Sequence, residues 1–133
     1  MTVVFDTYAL VKFLKKEEGY LTIRKALEEG GYVSDATLYE LFYVVSRDFI
    51  QLGFLLEETL LKAQEIIDSL SYHLKKEAIT ISIMKKSTYF RIKYSKLNLS
   101  HFDCIALATA SEFNLPLLSG DKGLAKVQEV TVL

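Results

Sequence analysis

Hydrophobic positions along this chain form short apolar runs that alternate with longer stretches of helical periodicity. Residues 3–5 are β-branched or aromatic and stop at Asp6, which is typical of a buried strand. Similar short runs predict further strands at 32–33, 78–81, 117–118 and 130–132. Apolar residues three or four positions apart predict a second set of elements, the helices at 7–16, 19–29, 35–52, 54–70, 84–94 and 100–113, with a small helix after Asp121.

Short apolar strands that alternate with helices predict a parallel sheet covered by helices on both faces. The chain has 133 residues, of which 50% are hydrophobic, so it can bury a core of its own. One proline and 6 glycines, without any low-complexity tract, indicate tight connections rather than linkers. We therefore expect a single α/β domain over residues 1–133.

Composition narrows the possible functions only slightly. A net charge of -1, from 16 basic and 17 acidic side chains, neither indicates nor excludes a nucleic-acid binder. Cys104 is the only cysteine, so an intrachain disulfide or a zinc–thiolate cluster is excluded and a reducing cytoplasm is expected. No apolar run approaches the roughly 18 residues that indicate a membrane span. The expected location is the cytoplasm, away from membranes.

Four acidic residues, far apart in sequence, are predicted to lie at one edge of the sheet. Asp6 ends the first strand and Asp121 follows the strand at 117–118, while Glu40 and Asp103 lie near the starts of two helices. Ligands of such sheets bind at the carboxyl edge of the strands. Clustered carboxylates stay ionised together when a cation joins them, and oxygen-only ligands favour Mg²⁺ or Mn²⁺. Phosphodiester hydrolysis assisted by a metal is the resulting hypothesis.

Each of these acids also has a purely structural explanation. Asp6 could cap the first helix, and Asp103 fits a capping box that begins at Ser100. Glu40 lies off the apolar stripe of its helix, as a solvated surface acid would, and Asp121 could stabilise a turn. The metal hypothesis therefore depends on the convergence of the four acids and not on any single position.

Four segments, VVFDTYAL, SDATLYELFYVV, LSHFDCIALATA and LPLLSGDKGL, resemble the successive motifs of the PIN-domain ribonucleases. The similarity is greatest to the small VapC-type toxins of bacterial and archaeal toxin–antitoxin pairs, and it extends over nearly the whole chain. This resemblance implies a three-layer α/β/α sandwich with a central parallel sheet.

The resemblance also implies a site and a reaction. The reaction would be Mg²⁺- or Mn²⁺-dependent cleavage of single-stranded RNA, which leaves 5′-phosphate and 3′-hydroxyl ends. Many members have a further acid shortly after the last motif, where this chain has Lys122, so a second metal ion is in doubt. The matching positions are the metal-binding acids Asp6, Glu40, Asp103 and Asp121 and the supporting hydroxyl residues Thr7 and Ser119.

Residues 84–101 combine positive charge with aromatic side chains and contain no acid. Such a segment could contact RNA phosphates and stack on unpaired bases close to Asp103. The alternative is a solvated helix face with Phe90 and Tyr94 in the core. The cations proposed for RNA binding are Lys85, Lys86, Arg91, Lys93 and Lys96.

The helices at 35–52 and 54–70 have more large apolar residues than a small domain needs for its core, which can indicate an interface. In the resembled family this region forms part of the antitoxin groove, and homodimers are common. The expected partners are therefore an RNA substrate, an antitoxin and a second copy of the chain. The alternative is that these residues form only the core and the helix–helix seam. Cys104 is expected to be buried packing.

Two other functions are compatible with the same residues. The first is a non-catalytic RNA- or protein-binding module with the same fold, which the near-neutral charge and the missing acid at Lys122 allow. The second is a DNA nuclease or a processing enzyme for structured RNA, which the sequence does not distinguish from a toxin.

Overall fold

The computed structural model describes residues 1–133, and its centre is a sheet of 4 strands. The strands are β1 (Val3–Phe5), β2 (Gly31–Ser34), β3 (Leu74–Glu77) and β4 (Leu117–Leu118). Their order in the sheet is β3-β2-β1-β4. All three pairings are parallel, and Val4 of β1 pairs with Tyr32 on one side and Leu117 on the other.

Six α-helices connect and cover these strands. None of them is both long and apolar enough to cross a bilayer. Short 3₁₀ turns lie at Ser95–Leu97 and Lys122–Lys126. The helices are α1 (Thr7–Leu14), α2 (Tyr20–Glu29), α3 (Asp35–Gln51), α4 (Leu56–Ser71), α5 (Ile81–Lys93) and α6 (His101–Phe113).

Two hydrophobic cores lie on opposite faces of the sheet. Val3 and Phe5 of β1 point into a core formed with α1, α2, α3 and α4. Val4, between them, points into a second core formed with α5 and α6. This alternation is the period of two expected for a strand, and it requires helices on both faces. The predicted three-layer α/β/α sandwich with a central parallel sheet is confirmed.

The predicted strand at 78–81 is wrong, because the third strand lies at Leu74–Glu77. This strand is at the sheet edge, where only Leu74 is buried and both lysines that follow it are exposed, so it lacks an apolar signal. The β-branched Thr80 instead caps α5, accepting a hydrogen bond from the Ile83 amide at 3.2 Å. The predicted last strand is also reduced, to one bridge between Leu117 and Val132.

Gly31 sets the spacing between β1 and β2, so Gly31→Ala is expected to destabilise the sheet. A Cβ at this position would lie 2.6 Å from the Val3 carbonyl oxygen and 2.8 Å from Cε2 of Phe5. Neither neighbour can move freely in a packed sheet, so the free energy of unfolding should fall by about 1–3 kcal/mol. Urea unfolding measures this change, and an unchanged midpoint would contradict the close approach.

Candidate active site

Asp6 ends β1 and starts α1, and it is the most firmly held acid of the molecule. The residue is 3% exposed, and its Oδ1 accepts hydrogen bonds from the amides of Ala9 at 2.8 Å and Gly120 at 3.2 Å. Its Oδ2 accepts a hydrogen bond from the Ser119 hydroxyl. Burial raises the pKa of Asp6, the three hydrogen bonds oppose this rise, and the nearby Asp103 charge adds to it. Asp6 is thus both a helix cap and a buried acid at the carboxyl edge.

Glu40 lies in the second turn of α3 and is partly buried. Burial raises the pKa of its carboxyl group, and the charges of Asp103 and Asp6 raise it further. Hydrogen bonding to the Thr7 side chain acts in the opposite direction. Ser34 starts α3 by accepting a hydrogen bond from the Ala36 amide at 3.1 Å, which orients this helix at the end of β2. Glu40 is therefore a member of an acid cluster and not an isolated surface acid.

Asp103 lies in the first turn of α6 and forms the predicted capping box. The Ser100 amide donates to its Oδ2 at 2.9 Å, and the Asp103 amide donates to the Ser100 hydroxyl at 3.1 Å. Its charge acts on three neighbours, since it raises the pKa of Asp6, of Glu40 and of the Cys104 thiol. The structural and the electrostatic roles of Asp103 therefore coexist.

Cys104 is fully buried in the second core, as expected for a packing residue. Burial, with a contribution from Asp103, raises the pKa of its thiol to about 11, and the nearby Arg91 opposes this rise. The thiol is therefore protonated at neutral pH and unsuited to nucleophilic attack.

Asp121 follows β4 and is joined to the cluster through Ser119. Its amide donates to the Ser119 hydroxyl oxygen at 2.9 Å, and its Oδ1 accepts from the Gly123 amide at 2.8 Å. The side chain itself is exposed. The structure thus couples the charges of Asp6, Glu40 and Asp103, and it joins the backbone of Asp121 to Asp6 through Ser119.

Carboxylate oxygens are the type of ligand that a hard divalent cation prefers, but the acids of the cluster do not form a complete set of ligands. No group of 3 or more histidine, cysteine, aspartate or glutamate side chains is placed to hold a metal ion. In the two helix caps, Oδ2 of Asp103 and Oδ1 of Asp121 accept the backbone hydrogen bonds. The other oxygen of each carboxylate takes no part in its cap. Mg²⁺ and Mn²⁺ prefer such oxygens. Binding of an ion would require these side chains to move closer together.

Gly120 also belongs to the site, although it is not among the residues that the sequence predicts to be functional. Its amide donates to Asp6, and a Cβ at this position would lie 2.7 Å from the Tyr8 carbonyl carbon. Only a residue without a side chain allows this approach between the β4 loop and α1. In the sequence, the Ser119-Gly120 pair directly after an apolar run indicates a turn, and this is the pattern that points to Gly120.

Residues 84–101, which we call the basic segment, are less available to a ligand than their composition suggests. Lys86 pairs with Glu112 at 2.8 Å, and Lys93 pairs with Glu129 at 3.0 Å. Lys93 also lies over the rings of two tyrosines of the segment. The cations without an ion pair in this segment are Lys85, Arg91 and Lys96. Phe90 is 2% exposed and belongs to the core, which supports the structural explanation for that residue.

An apolar surface, which we call the α3–α4 surface, covers the exposed faces of α3 and α4 and the turn between them. Phe42, Val45 and Ile66 pack against the core, so part of this region is the predicted helix–helix seam. The rest is uncovered. Its exposed large side chains are Tyr39, Tyr43, Ile50, Leu52, Leu55, Leu56, Leu60 and Leu61.

Ser119→Ala tests the link between the β4 loop and the acid cluster. The substitution removes a hydrogen bond that lowers the pKa of Asp6 and frees the Asp121 amide. We expect about a tenfold loss of any metal-dependent activity, as for other groups that orient metal ligands. The measurement is the rate at saturating metal, with Ser69→Ala, an exposed serine on α4, as the matched control. Equal rates in the two variants would contradict this role.

Comparison with known proteins identifies the family. Residues 3–130 match the family model described as "PIN domain", and this match includes every element that positions the acid cluster. The chain therefore belongs to the PIN-domain family. A comparison with curated proteins gives no match.

Solved structures of toxin–antitoxin proteins share this fold over nearly their full length. VapBC2 from Rickettsia felis, bound to a promoter DNA fragment, has a TM-score of 0.74 at 16% identity, covering 100% of this chain and 98% of that chain. DNA-bound VapBC from Salmonella typhimurium has a TM-score of 0.75 at 12% identity, with coverages of 100% and 97%. VapC20 of Mycobacterium tuberculosis, a toxin that cleaves the sarcin–ricin loop, has a TM-score of 0.67 at 16% identity, with coverages of 98% and 99%.

Proposed function

We propose that this chain is a divalent-metal-dependent endoribonuclease that cleaves single-stranded RNA. The observation that supports this most strongly is the electrostatic coupling of Asp6, Glu40 and Asp103. These acids come from three separate elements, yet the charge of each of the other two raises the pKa of Glu40. Keeping like charges together at a solvent-accessible edge has a cost in stability, and a bound cation removes that cost. Membership of the PIN-domain family supports the same function.

The ion would be Mg²⁺ or Mn²⁺, held by Asp6, Glu40, Asp103 and Asp121. When bound, such an ion neutralises charge on a phosphate and lowers the pKa of a water molecule. The chain itself fixes Asp6 with two backbone amides and the Ser119 hydroxyl. Its partly buried Glu40, with a raised pKa, is suited to orient a water and accept its proton. The products would have 5′-phosphate and 3′-hydroxyl ends.

Thr7 and Ser119 would support the site without touching the substrate. Thr7 is 3% exposed and lies beside Glu40, whose charged form it favours by hydrogen bonding. Ser119 joins Asp6 to the backbone of Asp121. Lys122 replaces the additional acid that many similar proteins have, so we propose one metal ion rather than two.

We further propose that the chain is the toxin of a toxin–antitoxin pair, and that it works in the cytoplasm. The α3–α4 surface is the proposed site for the antitoxin, because Leu52 and Leu55 are 74% and 76% exposed without a partner in this chain. Structural neighbours described as a toxin–antitoxin complex and as a member of the VapBC family of toxin–antitoxin systems support this assignment. A homodimer is the proposed state of the toxin itself.

Cleavage of single-stranded RNA by the purified chain tests the proposed activity. We expect cleavage with Mg²⁺ or Mn²⁺, no cleavage with a chelator, and recovery when metal is restored. Single-stranded DNA and a structured RNA of equal length, assayed in parallel, distinguish the related nuclease functions. Binding of RNA without cleavage in every metal condition would contradict the proposed enzymatic activity.

The second candidate is a binding module that retains the fold without catalysis. One observation favours it, namely that no group of 3 or more acids is placed to hold a metal ion. This candidate predicts chelator-resistant RNA or protein binding, and it predicts that Mn²⁺ leaves the thermal unfolding midpoint unchanged. A metal-dependent rise of that midpoint would reject it.

A further inference from the structure

A cavity lined mainly by polar residues lies between α5 and the first turn of α6. Its volume is about 420 Å³. No carboxylate lines it, and residues 81–101 contain none at all. We call it the α5–α6 cavity, and its lining residues are Ser87, Thr88, Arg91, Ile92, Ser95 and His101.

Arg91 is the only cation that lines this cavity, and it is not neutralised by the chain. On the same helix, Lys86 and Lys93 form ion pairs with Glu112 and Glu129, whereas the Arg91 guanidinium has no ion pair. A guanidinium group binds a phosphate through two parallel hydrogen bonds, which suits it to this ligand better than an ammonium group. The guanidinium is therefore available to an anionic ligand.

The other polar groups of the cavity add to this chemistry. Ser87 is 8% exposed and lines the cavity. His101 is the first residue of α6 and is exposed, and its imidazole can donate an N–H. Thr88 is already engaged, because its hydroxyl donates to the Met84 carbonyl at 2.8 Å. Arg91, Ser87 and His101 therefore supply the kinds of hydrogen-bond donor that contact phosphate oxygens in nucleic acids.

The cavity lies close to the acids. His101 and Asp103 belong to the same turn of α6, and Arg91 and Asp103 are both near enough to the Cys104 thiol for their charges to act on its pKa. An RNA strand with one phosphate in the cavity would therefore run close to Asp103. The α3–α4 surface, where a protein partner is proposed, is formed by different helices.

We propose that the α5–α6 cavity binds a backbone phosphate of single-stranded RNA and thereby positions the strand against the acid cluster. This inference rests on the proposed function, because it assigns a subsite to the same substrate. A phosphate contact fixes the register of the strand without reading its sequence. The site should therefore contribute similarly to all single-stranded RNA substrates.

Binding of a labelled oligoribonucleotide, measured by fluorescence anisotropy in the presence of a chelator, tests this subsite. Arg91→Gln should weaken binding about fivefold and reduce the slope of log Kd against log salt by about 0.7, because one phosphate contact is lost. The matched control is Lys25→Gln, an exposed cation on α2 outside the basic segment, which should leave the affinity unchanged. Arg91→Lys should restore the salt slope but not the full affinity.

Three outcomes would overturn the inference. The first is equal RNA affinity of Arg91→Gln and the wild type, and the second is an equal loss in Arg91→Gln and Lys25→Gln. The third is weaker binding of a poly-glutamate peptide with unchanged RNA affinity, which would assign the cavity to acidic side chains of a protein. Thermal unfolding checks the fold of Arg91→Gln, which breaks no ion pair.

This experiment distinguishes failure of the proposed subsite from failure of the proposed nuclease function. Because affinity is measured without metal, Arg91-dependent binding by a chain that never cleaves RNA would support the subsite and reject the enzyme. Metal-dependent cleavage with Arg91-independent affinity would support the enzyme and reject the subsite.

Discussion

Asp6→Asn should abolish RNA cleavage, with a loss of about 10³-fold, and leave the fold intact. A bound metal contributes several kcal/mol of transition-state stabilisation, and each 1.4 kcal/mol corresponds to a factor of ten in rate. The asparagine carbonyl can still accept the hydrogen bonds that Ala9 and Gly120 donate to Oδ1. Since burial raises the pKa of Asp6, loss of its charge should not destabilise the protein at neutral pH.

The measurement for Asp6→Asn is the initial rate of RNA cleavage, together with thermal unfolding of the same preparation. Asp68→Asn, an exposed acid on α4, is the matched control and should retain the wild-type rate. Undiminished cleavage by Asp6→Asn, after a contaminating nuclease has been excluded, would contradict the assignment of the site. A large fall in the unfolding temperature would instead show that Asp6 serves mainly as a helix cap.

Glu40→Gln should reduce cleavage about 10²-fold, because a positioned general base contributes at least this factor. Glutamine has nearly the same shape and can keep the contact with Thr7, so the loss would report the missing charge. Asp35→Asn removes an exposed acid from the first turn of the same helix and should have little effect. Equal rates for the two variants would place Glu40 outside the reaction.

Glu40→Gln should also alter how the free energy of unfolding of the metal-free protein depends on pH. Glu40 and Asp6 have raised pKa values, so they bind protons more tightly in the folded than in the unfolded chain. Their contribution to stability is present below about pH 4, the ordinary pKa of a carboxyl group. It is lost as the pH rises through the pKa values that the two groups have in the folded chain. Glu40→Gln should therefore flatten this fall in the unfolding free energy. A curve identical to the wild type would contradict the coupling of the acids.

The sequence predicted the fold and the location of the acids where local signals were strong. The run Val3–Phe5 followed by Asp6 predicted both a buried strand and an acid at its carboxyl edge, and the structure has both. The capping box at Ser100 and Asp103 was predicted from four consecutive residues, because its hydrogen bonds are local. Local patterns of this kind require no knowledge of the tertiary structure.

The features that the sequence did not predict depend on contacts between distant segments. β3 consists of Leu74 followed by two lysines and a glutamate, and it is a strand only because β2 offers it hydrogen-bonding groups. The role of Gly120 depends on the approach of Tyr8, more than a hundred positions earlier in the chain. The absence of three acids placed to hold one metal ion depends on side-chain positions, which a pattern of residues does not determine.

Isothermal titration calorimetry with Mn²⁺ tests most directly whether the acid cluster is a metal site. We predict saturable binding to the wild-type chain, with affinity reduced at least about tenfold in Asp6→Asn and unchanged in Asp68→Asn. Absence of saturable binding to the wild type, or equal binding to Asp6→Asn, would contradict the proposal that these carboxylates jointly hold a divalent ion.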